Sequence, residues 1–383
     1  MLEKKTSAFS KNDSLCLKGL AIFLLMCIHC FGAEKRFAGF EFNFWPLGQD
    51  LYVDLAYYCK ICVSIFAFIS GYGLYLSAKG KANDITQSNK WVTSRIIKTL
   101  NGFWFVYVVC FIALFCNDLL IPDKYLQDGM VRGAVYAFLD FLGVAGLFGT
   151  PMLNASWWYM SAAVVYVALM PLLVRWTDKL GWFSLLTVIV MIPRVLFNSD
   201  FFGATNIYSF ILPVYFGALF ARFEIFEAIE KIKVSKNKVV NNILLFVIGV
   251  FLVLVSIYVW IRVPFSVLWE YHFGVAPLFV IVFCNRFIFR DGGHIFKVIR
   301  VVFSFLGKHS MNVYIFHSFL RVYFLKDFIY SLKYPTLTIV TLLTISLVIS
   351  VILELIKKLI RYNKFIDFLH NKILSLFDLK KKA

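Results

Sequence analysis

The feature that most constrains this chain is a series of apolar runs of about twenty residues, separated by short polar segments. A helical run of that length matches the hydrocarbon core of a bilayer. The runs do not alternate between polar and apolar residues, as the strands of a transmembrane barrel do. The chain is 61% hydrophobic and 16% charged, whereas soluble domains are about 25% charged. We therefore predict an all-α, polytopic integral membrane helical bundle.

We predict about ten transmembrane helices from these runs. Their approximate limits are 15–33, 51–77, 99–117, 157–175, 182–198, 207–222, 241–262, 267–288, 306–326 and 335–356. The glycine-rich segment 131–148 is short for a span, so we predict a re-entrant or interfacial helix there. The expected organisation is an N-terminal arm at 1–14, a single transmembrane domain at 15–356 and a basic amphipathic tail at 357–383.

The net charge of +17 comes from an excess of Lys and Arg, 39 residues against 22 acidic ones. Most of these cations fall in segments that the ten-span topology places on the cytoplasmic side. Because Lys and Arg collect in cytoplasmic loops, the distribution predicts that both termini are cytoplasmic. Membrane orientation thus accounts for the charge, and we predict no nucleic-acid partner.

Lys18 and His29 occupy the first apolar run, KGLAIFLLMCIHCFG. Eleven residues separate them, so on a helix they share a face to within roughly 20° and stand about 16 Å apart. With Lys18 at the membrane surface, His29 lies near the bilayer centre, where an ionisable residue indicates function. The alternative is a buried histidine that forms a hydrogen bond to a neighbouring helix.

A second histidine is predicted at similar depth. In the predicted helix 306–326, Ser310, Tyr314, His317 and Arg321 follow the spacing i, i+4, i+7 and i+11, which places them on one face. Two histidines at matched depth predict a shared internal cavity. The alternative is that this polar stripe holds helices together through hydrogen bonds.

Cations and small residues are predicted near the cytoplasmic end of the first helices. Arg95 and Lys98 share a face and, with Lys18, would form a cluster suited to phosphate groups. The alternative for each of them is that it only flanks a membrane helix on the cytoplasmic side, where Lys and Arg are common. Ser70 precedes Gly71, and glycine lets a ligand or helix approach the backbone closely.

Two cysteine pairs, Cys27-x-x-Cys30 and Cys59-x-x-Cys62, have the spacing of redox or metal sites. Both pairs lie inside apolar runs, where cysteine usually behaves as a small hydrophobic residue. We therefore expect no metal.

Five motifs resemble those of the acyltransferase-3 family of integral membrane acyltransferases. Lys18-x10-His29 resembles the first-helix motif, and IFAFISGYGLYL resembles a Phe-rich helix ending in Ser-Gly-aromatic. SRIIKTLNGFW is similar to the basic start of helix three. LGKHSMNVYIFH resembles the late motif Gly-x-x-Ser-x-x-x-Tyr-x-x-His, and Trp157-Trp158-Tyr159 resembles the start of the fourth helix. The motifs follow the family's order over about residues 15–325.

The chain departs from the family pattern at three points. Asn101 stands where proline is common, and Ala162-Ala163 stands where some members carry a glutamate pair. The second departure puts a helix-four carboxylate in doubt. Many members end in a soluble esterase-like domain, and we expect a stand-alone form here.

The resemblance implies transfer of an acyl group, usually acetyl, from cytoplasmic acyl-CoA to a carbohydrate hydroxyl at a bacterial plasma membrane. The implied acceptor is a surface polysaccharide or its lipid-linked precursor. Membrane lipids are further partners, and the sequence leaves an oligomer open. The implied site residues are His29, His317, Tyr314 and Ser310 for catalysis, Lys18, Arg95, Lys98 and Ser70 for acetyl-CoA, and Trp157, Trp158 and Arg321 for the acceptor.

Two choices stay open at the level of the sequence. His29 would act either as a general base or as a transient acyl carrier. The alternative function is a transporter or flippase with a proton relay, although no paired broken helices support it. A non-catalytic membrane scaffold is a third interpretation.

Overall fold

The computed structural model describes residues 8–117, 119–186, 208–264, 267–289 and 294–379. These residues form helices and connecting turns, and none of them forms a β-strand. Seven helical segments among them are long and apolar enough to cross a membrane: Lys11–Phe31, Gln49–Ala78, Ile85–Cys116, Ala155–Leu180, Lys238–Arg262, Tyr271–Ile288 and Pro335–Leu359. The protein is therefore an all-α, multi-pass membrane protein; the count of ten spans and the side of the termini stay predictions.

The α-helices within the described ranges are numbered here in chain order. They are α1 (Lys11–Phe31), α2 (Gln49–Tyr58), α3 (Ile61–Ala78), α4 (Ile85–Cys116), α5 (Met130–Phe141), α6 (Ala145–Phe148), α7 (Trp158–Leu180), α8 (Phe183–Leu186), α9 (Ile211–Arg222), α10 (Ile225–Glu230), α11 (Lys238–Arg262), α12 (Ala276–Phe283), α13 (His294–Phe319), α14 (Lys326–Tyr330), α15 (Pro335–Leu359) and α16 (Tyr362–Leu379). Tighter or wider turns occur at Glu34–Arg36, Pro122–Leu126, Ala155–Trp157, Tyr208–Phe210, Tyr271–Val275, Cys284–Ile288 and Leu320–Phe324.

Two helices begin well before the predicted spans. Helix α4 begins at Ile85 rather than near residue 99, because the Asp84 side chain caps it by accepting from Gln87 N. No glycine or proline interrupts residues 85–98. Helix α13 likewise begins at His294 rather than near residue 306. In both cases a basic stretch outside the predicted span forms the first turns of the helix.

Other predicted segments are divided or lie partly outside the described ranges. The predicted span 51–77 is split into α2 and α3 at Cys59-Lys60. The segment 131–148 becomes α5 and α6, both shorter than the bilayer core. The predicted span 182–198 lies outside the described residues beyond Leu186.

Helices α1 and α13 cross at two glycines. A Cβ atom on Gly307 would lie 1.9 Å from the Leu15 carbonyl oxygen, and one on Gly19 would lie 2.0 Å from that of Phe303. The backbones therefore touch, as at small-residue contacts between membrane helices. The ion pair between Arg300 Nη2 and Asp13 Oδ1, 3.1 Å long, lies beside this crossing.

A similar contact joins α3 and α9. A Cβ atom on Gly71 would lie 1.9 Å from Val214 O, and one on Gly217 would lie 2.1 Å from Phe68 O. This contact fixes α3, and with it Ser70, against the centre of the bundle.

A polar network, buried except for the exposed Glu354, holds another face of α13 against α15. Asn312 Nδ2 donates to Ser350 Oγ at 3.0 Å and to Glu354 Oε1 at 2.8 Å. Lys357 Nζ donates to Glu354 Oε1 at 2.7 Å and to Asn312 Oδ1 at 3.2 Å. Because hydrogen bonds pair every charge in this network, α13 has a fixed rotation about its own axis.

The amphipathic tail helix α16 packs along α4. Tyr362 OH donates to Asn101 O at 2.9 Å, and Ser94 Oγ lies 2.8 Å from His370 Nε2. The carbonyl of Asn101, the residue where the family pattern often has proline, is thus the acceptor for the tail.

We expect Gly307→Ala to destabilise the protein by about 1–3 kcal/mol, because the added methyl group collides with the Leu15 carbonyl oxygen. Thermal unfolding of the detergent-solubilised protein measures this effect. Gly73→Ala is the matched control, since a Cβ atom there meets nothing within 4 Å. Equal melting temperatures for the two variants would contradict the close crossing.

Candidate active site

The centre of the site is a pair of histidines from α1 and α13. His317 Nε2 lies 2.9 Å from His29 Nδ1, and the ring centroids are 4.8 Å apart. His317 is fully buried, whereas His29 is partly accessible. The close crossing of the two helices brings these rings together, because α1 and α13 run in the same direction from Gly19 and Gly307.

The hydrogen bonds assign the protons of the neutral pair. His317 Nδ1 lies 3.0 Å from both Val313 O and Tyr314 O. Carbonyl oxygens only accept, so this nitrogen carries the proton and His317 Nε2 is an acceptor. His29 Nδ1–H therefore donates to His317, which leaves a free lone pair on His29 Nε2. This is the arrangement of a histidine ready to take a proton.

The side chain of Ser318 also contacts the two histidines. Its Oγ lies 3.2 Å from His317 Nε2 and 3.5 Å from His29 Nδ1.

The first cavity extends from His29 toward Lys18 and has a volume of about 210 Å³. We call it the Lys18 cavity. Its walls are largely apolar, with a few hydroxyl groups. The lining residues are Lys18, Leu25, His29, Val63, Phe66, Ser70, Thr99, Ser156, Trp158, Tyr159, Met160, Ala163, Ser310, Met311 and Tyr314.

The second cavity extends from His29 toward the other end of α1 and has a volume of about 300 Å³. We call it the Arg321 cavity. It is the more polar of the two, and it shares His29 and Ser156 with the Lys18 cavity. Its lining residues are His29, Arg36, Lys124, Leu153, Asn154, Ala155, Ser156, Ser318, Phe319, Arg321, Val322 and Tyr323.

The segment that separates the two cavities, residues 153–157, is fixed by hydrogen bonds to α13. Tyr314 OH donates to Ser156 O. Trp157 Nε1 and Asn154 Nδ2 donate to Ile315 O, at 2.9 and 3.2 Å. The wall between the cavities is therefore attached to the helix that carries His317.

Asp140 holds the same segment from the side opposite α13. Its Oδ2 accepts from Leu153 N at 2.9 Å and from Tyr125 OH at 2.6 Å. Tyr125 OH in turn lies 3.1 Å from Tyr107 OH. A chain of buried hydrogen bonds thus links α4 and α5 to the site.

Most of the residues predicted for catalysis and donor binding line the Lys18 cavity. Lys18, Ser70, Ser310 and Tyr314 all lie on its wall. Ser310 Oγ donates to Gly307 O at 2.9 Å, within its own helix.

The two predicted cations of α4 differ in position. Arg95 lies close enough to Lys18 for the two charges to repel each other. Lys98 is exposed, and neither Arg95 nor Lys98 lines a cavity.

The residues predicted to bind the acceptor are divided. Arg321 lines the Arg321 cavity and Trp158 lines the Lys18 cavity. Trp157 lines neither cavity, since it is buried between Phe103 and Phe319 behind the wall.

Several polar residues at the cavities were not predicted, among them Arg36, Lys124, Ser156 and Ser318. Ser318 follows His317 directly, and Arg36 lies two turns beyond His29, so both carried a signal of proximity. Nothing in the spacing of Lys124 or Ser156 relates them to the histidines. The described residues contain no group of three or more His, Cys, Asp or Glu side chains placed to hold a metal ion.

Comparison with known families agrees with this geometry. A family profile described as an acyltransferase domain matches residues 15–355. The comparisons with curated proteins and with solved structures gave no match. The matched range includes both histidines, both cavities and nearly all of the chain, so the chain belongs to the acyltransferase-3 family of integral membrane acyltransferases.

Proposed function

We propose that this membrane acyltransferase is an O-acetyltransferase, which moves an acetyl group from acetyl-CoA to a hydroxyl of a surface polysaccharide or its lipid-linked precursor. One observation carries the proposal: His29 lines both cavities, and its Nε2 lone pair is free because Nδ1 donates to His317. A donor in one cavity and an acceptor in the other would meet at this atom.

The proposed topology has ten spans, with both termini in the cytoplasm of a bacterial cell and the bundle in its plasma membrane. Residues 1–14 form the arm, 15–356 the acyltransferase domain and 357–383 the tail. The excess of Lys and Arg in the inner segments supports this orientation. The Lys18 cavity then opens toward the cytoplasm and the Arg321 cavity toward the outside.

The Lys18 cavity is proposed to hold acetyl-CoA. Lys18, Arg95 and the exposed Lys98 would bind the CoA phosphates at the cytoplasmic end. The pantetheine arm would then follow the apolar wall past Ser70 toward His29. The distance of about 16 Å along α1 between Lys18 and His29 separates the phosphate end from the thioester.

The proposed reaction begins when His29 Nε2 removes the proton from the acceptor hydroxyl. The oxygen attacks the thioester carbonyl carbon, and the tetrahedral intermediate collapses with cleavage of the carbon–sulfur bond. The proton then passes from His29 to the departing CoA thiolate, so the products are the ester and free CoA. His317 is a positioning residue, since its Nε2 accepts the hydrogen bond from His29 Nδ1–H and so holds the tautomer of His29. Tyr314 holds the wall at Ser156.

Direct transfer is favoured over an acyl-histidine carrier. The two cavities share His29 and Ser156 but otherwise have separate linings. Donor and acceptor can therefore be bound at the same time, which a carrier mechanism does not require.

Family membership also decides between the functions that the sequence left open. An acyltransferase domain over residues 15–355 is not expected in a transporter, a flippase or a scaffold. The intramembrane histidines then serve chemistry rather than a proton relay.

We expect His29→Ala to lower acetyl transfer by about 10²- to 10⁴-fold, the usual contribution of a general base. Purified protein in proteoliposomes with labelled acetyl-CoA measures the rate, and the ester content of surface glycans measures it in cells. Acetyl-CoA binding should stay near that of the unsubstituted protein. His294→Ala is the matched control, because His294 is exposed at the start of α13 and lines neither cavity. A His29→Ala protein with a near-normal rate would eliminate the catalytic assignment.

Direct transfer predicts sequential kinetics. Initial rates measured over a grid of donor and acceptor concentrations should give intersecting double-reciprocal lines. Incubation with labelled acetyl-CoA alone should leave no label on the protein after denaturation. Parallel lines together with labelled His29 would instead establish the carrier mechanism.

We expect Lys18→Gln and Arg95→Gln each to weaken acetyl-CoA binding by about tenfold or more, since each removes a charged hydrogen bond to phosphate. Lys81→Gln, an exposed residue in the loop after α3, is the matched control. Acetyl-pantetheine lacks the phosphates, so its rate should be insensitive to both substitutions. The donor site is misplaced if the variants bind acetyl-CoA like the control.

A further inference from the structure

The Arg321 cavity has an unusual charge distribution. Arg36, Lys124 and Arg321 all line it, and no carboxylate of the described residues does. No ion pair among those residues includes either arginine. The cavity therefore has a cationic wall, and His29 lies at its inner end.

Neutral groups hold the two guanidinium groups in place. Arg36 Nη1 donates to Ile28 O. Arg321 Nη1 donates to Tyr330 OH at 3.1 Å, and Tyr330 OH itself donates to Cys30 O at 3.3 Å. These bonds orient both arginines without neutralising them. Arg321 Nε is buried and has no hydrogen-bond partner among the described residues.

Burial, followed by the nearby charge of Arg321, lowers the pKa of Arg36. Two guanidinium groups within electrostatic range, partly removed from water, disfavour each other unless an anion lies near both. Glu34, the acidic residue nearest Arg36 in the sequence, instead accepts from Gln49 Nε2 at 2.7 Å. In the part of the chain that the structure describes, no carboxylate therefore lies on the cavity wall beside the two arginines; Asp123, which is within electrostatic range of Tyr323, does not line the cavity.

We propose that the Arg321 cavity binds an oxyanion, a phosphate or a carboxylate, that the acceptor carries close to the hydroxyl receiving the acyl group. This inference rests on the proposed function. Arginine engages both kinds of oxyanion through paired hydrogen bonds, and Arg321 Nε is still available for one of them. Lys124 is exposed at the edge of the cavity and adds a point charge there.

The position of the oxyanion restricts the acceptor. His29 and Arg321 line the same cavity of about 300 Å³, so the hydroxyl and the oxyanion belong to the same or adjacent sugar units. Neutral sugars would lack the group that holds the hydroxyl at His29 Nε2. The oxyanion would come either from a phosphate ester, as in a lipid-linked or phosphate-bearing glycan, or from an acidic sugar.

Binding to the purified full-length protein in detergent, measured by titration calorimetry, tests this proposal. Saturating CoA first occupies the phosphate-binding end of the Lys18 cavity. Three probes are then titrated: inorganic diphosphate, methyl glucuronide and neutral methyl glucoside. At least one oxyanion should bind, methyl glucoside should not, and the probe that binds identifies phosphate or carboxylate as the preferred source.

Arginine substitutions locate the bound oxyanion. Arg36→Gln and Arg321→Gln should each weaken binding by about ten- to a hundredfold, and Lys124→Gln by a smaller factor. Arg321→Lys should bind the oxyanion more tightly than Arg321→Gln, because lysine keeps the positive charge but lacks the paired N–H groups of the guanidinium. Lys35→Gln is the matched control, since Lys35 is exposed beside Arg36 and does not line the cavity.

The proposal is overturned if no oxyanion binds in the presence of CoA, or if every cavity variant binds like Lys35→Gln. If an arginine variant fails to fold, the effect of Lys124→Gln on oxyanion binding still tests the proposal, because Lys124 is exposed at the edge of the cavity. Other results would contradict the proposed function instead. These are that CoA does not bind, or that Lys18→Gln does not weaken CoA binding. In that case the titration without CoA still reports on Arg36 and Arg321.

Discussion

The contact between α1 and α13 is the constraint on which the site depends. Gly19 and Gly307 remove the side chains that would hold the two backbones apart, and the Asp13–Arg300 ion pair lies beside that crossing. The two helices run in the same direction and touch near their middles, about three turns before the histidines. The close contact at the glycines therefore helps to bring His29 and His317 within hydrogen-bonding distance. A site of this kind depends on the exact packing of the two helices as well as on the identity of its side chains.

Helix α13 has two polar faces with different roles. Asn312 bonds to Ser350 and Glu354 of α15, whereas Ser310 and Tyr314 line the Lys18 cavity. The sequence offered hydrogen-bonded helix packing and function as alternatives for this helix. Hydrogen-bonded packing occurs at Asn312, and the stripe residues Ser310 and Tyr314 face the cavity, about a third of a turn or more away. The packing face fixes the rotation of α13, and that rotation aims the other face at the cavity.

The sequence predicted the helical membrane class, and periodicity placed His29 and His317 at matched depth. Those inferences use local spacing, which a helix converts directly into geometry. The early start of α4 was missed because charges near Arg95 indicated a loop. Arg36 and Ser156 were missed because their proximity to His29 depends on how the chain folds back at residues 153–157. The burial of Trp157 also depends on that fold, since a buried tryptophan and a ligand-stacking one have the same local pattern.

His29 and Ser156, which line both cavities, have a consequence for the permeability of the membrane. In the proposed orientation, the cavities are filled from opposite aqueous phases and meet at this narrow junction. The imidazole of His29 then lies between the two cavities. The attachments of residues 153–157 to Ile315 and Asp140 keep that junction rigid. In the proposed reaction the acyl group passes between the cavities at His29, so neither substrate has to cross this junction.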